Sequence, residues 1–168
     1  MPEIRLYPQD DGGLTIPSAT GNAIYLPQFR LRAWVRIGGE YALRQAILDT
    51  GAPASIFTKH IWLPLHQSGR IEWLGEPPNP ADHTVLPKVI LLRGQYPFRL
   101  GRVTVELADL DSGSLRPVRI LVQCVEDQPE REPLPRLLIL GVADLLHGRT
   151  LTLRASADGA AWRGTISE

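Results

Sequence analysis

The sequence predicts an all-β domain, and three observations predict it. Gly and Pro each number 15 in 168 residues; so many turn formers suit short strands joined by tight loops. Residues 29–37 alternate, with Phe29, Leu31, Ala33, Val35 and Ile37 set against Arg30, Arg32, Trp34 and Arg36. That is a period-2 strand with one wet face. The apolar runs are short and bounded by breakers, as at residues 137–140, which fits buried strands. The architecture implied is a small barrel or sandwich with at most one or two short helices. The length suits one domain with a normal core.

The elements follow in order. Residues 1–28 contain four prolines and read as a turn-rich N-terminal arm, with a strand at residues 21–26. The domain proper covers residues 29–168. After the strand at 29–37, Gly38 and Gly39 make a hairpin turn. A second strand returns through 41–48 into the apolar run Ala46, Ile47, Leu48. Asp49, Thr50, Gly51 and Ala52 interrupt it, and a short strand resumes at 55–58. Residues 59–88, with five prolines, read as irregular. Strands are expected at 89–92, 98–107, 115–125 and 137–140. A turn at 93–97 joins the first pair. A charged, proline-rich surface loop fills 127–135. Residues 141–147 fit a short helix closed by Gly148. A hairpin at 150–154 and 160–166, turning at Asp158 and Gly159, ends the chain.

Composition excludes several function classes. Lys plus Arg equals Asp plus Glu at 18 each, so no basic face tracking a phosphate backbone is expected. With 43% hydrophobic residues the chain is not a disordered tail. The longest apolar stretch, 137–143, falls far short of the roughly 20 residues of a membrane span. The N-terminus lacks a basic segment followed by an apolar one. A soluble, cytoplasmic protein is expected. The single cysteine, Cys124, rules out an internal disulfide framework; its apolar neighbours mark it as a buried small hydrophobe. His60, His66, His83 and His147 lack metal-ligand spacing. Trp34, Trp62, Trp73 and Trp162 are dispersed, as core or interface residues are. No metal or cofactor is expected.

The segment that carries chemistry is Ala46-Ile47-Leu48-Asp49-Thr50-Gly51-Ala52. An apolar strand runs straight into an aspartate, a costly placement unless the carboxylate is used. Thr50 offers a hydroxyl, and Gly51 lets the backbone turn sharply and approach a neighbour closely. The same pattern also occurs as a plain Asp-x-Gly turn between strands, so both readings stand on the residues alone.

With its flanks, the segment resembles a known family. Residues 34–52, a strand, a Gly-Gly hairpin, a second strand and then Asp-Thr-Gly-Ala, are similar to the active-site region of the retropepsin-like aspartic proteases. Residues 137–146, Leu-Leu-Ile-Leu-Gly-Val-Ala-Asp-Leu-Leu, resemble that family's apolar-apolar-Gly element leading into a short helix. The resemblance covers roughly residues 31–153. It implies a pepsin/retropepsin-like closed β-barrel with one short helix near the C-terminus. It assigns the catalytic carboxylate to Asp49 and support of the active-site loop to Thr50, Gly51, Ala52 and Gly141. A substrate-binding flap is implied between residues 85 and 105, its tip at Arg93, Gly94, Gln95 and Tyr96. Pro97 beside that tip and Pro53 after Ala52 depart from the retroviral pattern.

Such chemistry needs two carboxylates sharing one proton. Asp111-Ser112-Gly113 offers a second Asp-x-Gly. It lies only 62 residues after Asp49, and its flanks read as strands joined by a hairpin turn. The resemblance therefore implies a homodimer with one Asp49 from each chain. The activity implied is aspartic endopeptidase hydrolysis of a peptide or protein substrate, without nucleic acid. The alternative is a catalytically inactive, protease-like dimeric interaction module. A third reading, a β-barrel binding module, takes Asp-Thr-Gly as a turn.

Overall fold

The computed structural model describes residues 3–17, 21, 23–79, 85–92, 94–155 and 162–168. Strands dominate. In chain order they are β1 (Glu3–Pro17), β2 (Ala23–Ile37), β3 (Arg44–Asp49), β4 (Ser55–Thr58), β5 (Glu72–Trp73) and β6 (Lys88–Leu91). After these come β7 (Gly94–Asp109), β8 (Ser114–Val125), β9 (Leu138–Gly141), β10 (Thr150–Ala155) and β11 (Trp162–Ser167). Two short helices interrupt them, α1 (Lys59–Gln67) and α2 (Val142–Leu145).

Six strands close into a barrel in the order β2-β3-β9-β4-β8-β7. The closing seam is β2 against β7, from Trp34↔Ala108 to Ile37↔Val105. Most ladders are antiparallel. The β3–β9 and β4–β8 pairs are parallel, with other barrel strands falling between their members in the sequence. Closure removes free edges from the middle of the sheet.

Alternation sets the core. Ala33, Val35 and Ile37 of β2 point inward and are essentially fully buried, as the sequence pattern predicts. Val105, Val122, Phe57 and Leu140 meet them. Strand β7 serves two cores. Gly101, Val103, Val105 and Leu107 are buried on one face, while Tyr96 and Phe98 are buried on the other. The odd positions fill the barrel. The even positions form a second apolar cluster with Ala52, Ile56, Leu91, Leu134 and Ile139.

Four sequence expectations meet differences here. Residues 59–67 of the stretch read as irregular form α1. Ile61, Trp62 and Leu65 are its buried stripe, and the Trp62 indole N–H donates to the Val125 carbonyl at 2.8 Å. Its internal Pro64 obscured that period. Part of the segment read as an arm is β1, which pairs with β2 and β11 and buries Ile4 and Leu6. The strand expected at 21–26 begins at Ala23 and runs unbroken into the next. The turn expected at 93–97 begins earlier, at Leu92, and residues 94–97 are strand, since Leu91 pairs with Gly94 and Pro97 pairs with Lys88.

Other elements fall where the sequence puts them. Gly38 and Gly39 turn with φ of 57° and 72°. The charged segment 127–135 contains no helix or strand. Strands β10 and β11 form the closing hairpin; its turn at Asp158 and Gly159 lies outside the described residues. Among the described residues no helix is long and apolar enough to cross a membrane.

Candidate active site

Strand β3 delivers Asp49. Ala46 and Leu48 are buried in the barrel, so the alternating side chains face the other way, and Asp49, the last residue, is exposed. Its parallel neighbour is Gly141 of β9, with Leu48↔Leu140 and Ile47↔Ile139 before it. The Gly51 N–H donates to Asp49 Oδ1 at 2.9 Å, and the Ala52 N–H donates to the Asp49 carbonyl at 3.2 Å. The carboxylate is thus fixed by its own turn. Gly51 does not use a left-handed φ. Its missing side chain leaves room for the carboxylate, since a Cβ there would lie 3.3 Å from Asp49 Oδ1.

The loop is anchored from below. The Val142 N–H donates to the Ala52 carbonyl at 3.1 Å. The Gly141 N–H donates to Ser55 Oγ at 3.2 Å, and Ser55 is buried. A Cβ on Gly141 would lie 2.6 Å from the Ala54 carbonyl oxygen and 2.8 Å from that of Ala52. Only glycine lets the two backbones come this close. Beyond it, Asp144 of α2 accepts the Leu121 N–H at 2.6 Å, tying the helix to β8.

Asp49 and Thr50 line a cavity of about 640 Å³. Its floor is apolar: Ile47, Leu48, Leu137 and Ile139. Leu91 and Leu92, at the end of the β6–β7 hairpin, face it. Leu31, Arg30, Pro8 of β1 and Leu153 of β10 complete the wall. None of these wall residues was singled out from the sequence. The sequence carried little signal for them, since 89–92 read as an ordinary strand; in the structure Ile90 and Leu92 are 74% and 61% exposed.

Of the residues expected at the flap tip, Gly94, Gln95 and Tyr96 open strand β7, and Arg93 lies outside the described residues. Leu92, with φ of 47°, begins the turn. Tyr96 is buried in the second apolar cluster, away from the cavity lining.

Asp111 is elsewhere. It sits in the turn between β7 and β8, which pair through Asp109↔Ser114, as the sequence reading has it. It is ion-paired with Arg5, and its N–H donates to Asp109 Oδ1 at 3.0 Å. It does not line the Asp49 cavity.

Of the remaining candidates, Cys124 is packed in the core and His66 has a ring partner. Cys124 is fully buried, and burial, with a smaller push from Glu126, raises its thiol to about 12. A thiolate is therefore not formed at neutral pH. His66 Nδ1 accepts the Trp73 indole N–H at 3.2 Å. Trp73 packs edge-on against Trp62, with ring centroids 6.1 Å apart. His83 lies outside the described residues. Among the described residues no three His, Cys, Asp or Glu side chains are grouped to hold a metal ion.

No protein-family model matches the chain, and no curated protein matches it. Among solved structures the chain is similar to the retroviral protease-like domain of Ddi1 from Leishmania major. The identity is 21%, the match covers 72% of this chain and 79% of that one, and the TM-score is 0.40.

Proposed function

We propose that two copies of this chain form an aspartic endopeptidase of retropepsin type, each contributing Asp49. The observation that carries the reading is the exposed Asp49 carboxylate, fixed by its own turn at the rim of an apolar cavity. The sequence resemblance at Asp-Thr-Gly-Ala and at Ile139-Leu140-Gly141 supports it. An extended peptide with apolar side chains suits the cavity, and the hairpin bearing Leu91 and Leu92 would serve as the flap.

One carboxylate is half of this chemistry. Two at about 3 Å cannot both ionise, so they share a proton. The ionised one takes a proton from water as the water attacks the scissile carbonyl. The protonated one polarises that carbonyl, and a proton then passes to the leaving nitrogen. Thr50, Gly51, Ala52 and Gly141 would keep each loop rigid as the two approach. Strand β10 favours a contact beside the site: among the described residues it pairs only with β11, and its Leu153 reaches the Asp49 cavity. An open strand edge is a template for a second chain.

A second reading keeps the dimer and the peptide groove without turnover. The packing of the hairpin favours it, because Tyr96 and Leu91 are buried against the barrel.

The test combines sedimentation with peptide-library cleavage across pH. A dimer with a bell-shaped, acidic optimum is the expected result. A dimer that binds peptides and cleaves none supports the module. Full activity from a strict monomer overturns the shared-site reading.

A further inference from the structure

The β6–β7 hairpin that walls the Asp49 cavity is held from outside by residues 126–136. Below Phe98, β7 is flanked by β8. Above it, the stretch from Lys88↔Pro97 to Leu91↔Gly94 is a two-stranded ribbon with no third strand among the described residues. Such a ribbon is marginal by itself in water, so its closed position needs support.

The 126–136 loop supplies that support. The Arg131 guanidinium lies over the Tyr96 ring, 5.8 Å from its centroid. The Gln128 side-chain amide donates to the Gln95 carbonyl. The Glu126 N–H donates to the Pro97 carbonyl at 2.9 Å. Leu134 is buried in the apolar cluster that holds Leu91 and Tyr96.

The loop is itself pinned. The Leu134 N–H donates to Asp127 Oδ1 at 3.3 Å, and the Arg131 N–H donates to the Gln128 carbonyl at 3.1 Å. At its end, Leu137 exchanges hydrogen bonds with Thr58. Gly94 fits the same account. A Cβ there would lie 2.6 Å from Arg131 Nη1 and 2.7 Å from the Tyr96 ring, so the glycine makes room for the cation over the ring.

We infer that Arg131 and Gln128 are positioning residues forming a latch that keeps the hairpin closed over the Asp49 cavity. Release of the latch is the step that admits an extended ligand. Both contacts are individually weak: a partly exposed cation over a ring and a single amide hydrogen bond. The latch therefore opens by local fluctuation, without unfolding the barrel. The inference concerns hairpin opening and stands apart from whether the site cleaves peptides.

Hydrogen exchange on the ligand-free full chain tests it, comparing the parent with the Arg131→Ala/Gln128→Ala double variant. The hydrogen-bonded amides of residues 88–97 should exchange roughly tenfold faster. Those of residues 103–107, in the barrel, should keep the parent rate. Arg131→Lys with Gln128 intact should return most of the protection, since a cation still faces Tyr96. Unchanged exchange at 88–97 overturns the latch. Acceleration of hairpin and barrel together also overturns it, because the contacts would then serve general stability. Because no ligand is present, neither failure bears on the role of Asp49.

Discussion

Two turns in this molecule carry almost the same text, Asp49-Thr50-Gly51 and Asp111-Ser112-Gly113, and the fold treats them differently. The first ends a strand inside the barrel and lies beside Gly141 across a parallel ladder. Buried Ser55 braces its support, and an apolar cavity opens next to it. The second caps the long β7–β8 hairpin; its Gly113 turns at φ 67°, and its Asp111 is neutralised by Arg5. An Asp-x-Gly pattern is therefore no site by itself. What sets Asp49 apart is the strand running beneath it and the space in front of it.

Glycine substitutions should separate the turns most sharply. Gly141→Ala drives a methyl into the carbonyls of Ala52 and Ala54, and rigid backbone on both sides cannot yield. A loss of about 3 kcal/mol or more is expected in urea denaturation. Gly113→Ala meets nothing within 4 Å and suffers only its left-handed φ. It should cost about 1 kcal/mol. Equal losses would mean that the Asp49 loop is no more tightly packed than the hairpin tip.

Asp111→Asn comes next. It removes a half-exposed ion pair, and exposed pairs are worth little. Its thermal denaturation should match the parent to within about 0.5 kcal/mol. A larger loss would give the Asp111 turn a structural weight it is not expected to have.

The smallest effects are in pH dependence, where two other carboxylates extend the contrast of surroundings. Hydrogen bonding from Arg36, more than its charge, holds Glu106 below the usual carboxylate range, against a smaller effect of burial. Its contribution is present above the ordinary range and is lost as pH falls through the lowered one. Burial chiefly pushes Glu126 upward; Lys59, Arg99 and His66 oppose this, and Asp127 adds to it. Its folded form holds the proton more tightly, so stability falls as pH climbs from the ordinary range through the raised one. In urea melts across acidic to neutral pH, Glu106→Gln should flatten the acid-side loss. Glu126→Gln should remove the decline toward neutrality. A slope unchanged in either variant contradicts the environment assigned to that residue.

The barrel was legible because alternation survives in β2, and because the apolar ends of β3 and β9 stop at Asp49 and Gly141. The Asp49 turn was legible as an Asp-x-Gly turn ending an apolar strand, and its reading as a catalytic loop came from the resemblance at Asp-Thr-Gly-Ala. Prolines misled elsewhere. Pro64 hid α1, although Ile61, Trp62 and Leu65 keep helical spacing. Pro8 and Pro17 made β1 read as an arm, although Pro8 sits in a strand opposite Leu31. Pro97 drew the flap turn downstream, while the turn begins at Leu92, a residue with no turn preference. The cavity wall was illegible for another reason. Pro8, Arg30, Leu92 and Leu153 come from distant segments, and only the closed sheet brings them together.

The central claim is that Asp49, and not Asp111, carries peptide hydrolysis. It is tested most directly by steady-state cleavage of one peptide by the parent, Asp49→Asn and Asp111→Asn, with melting curves recorded on the same samples. Asp49→Asn should lose at least about a thousandfold in rate, since base and shared proton vanish together, while its melt stays at or above the parent's. Asp111→Asn should cleave at the parent rate. Undiminished cleavage by Asp49→Asn, or cleavage abolished in a fully folded Asp111→Asn, would contradict the account.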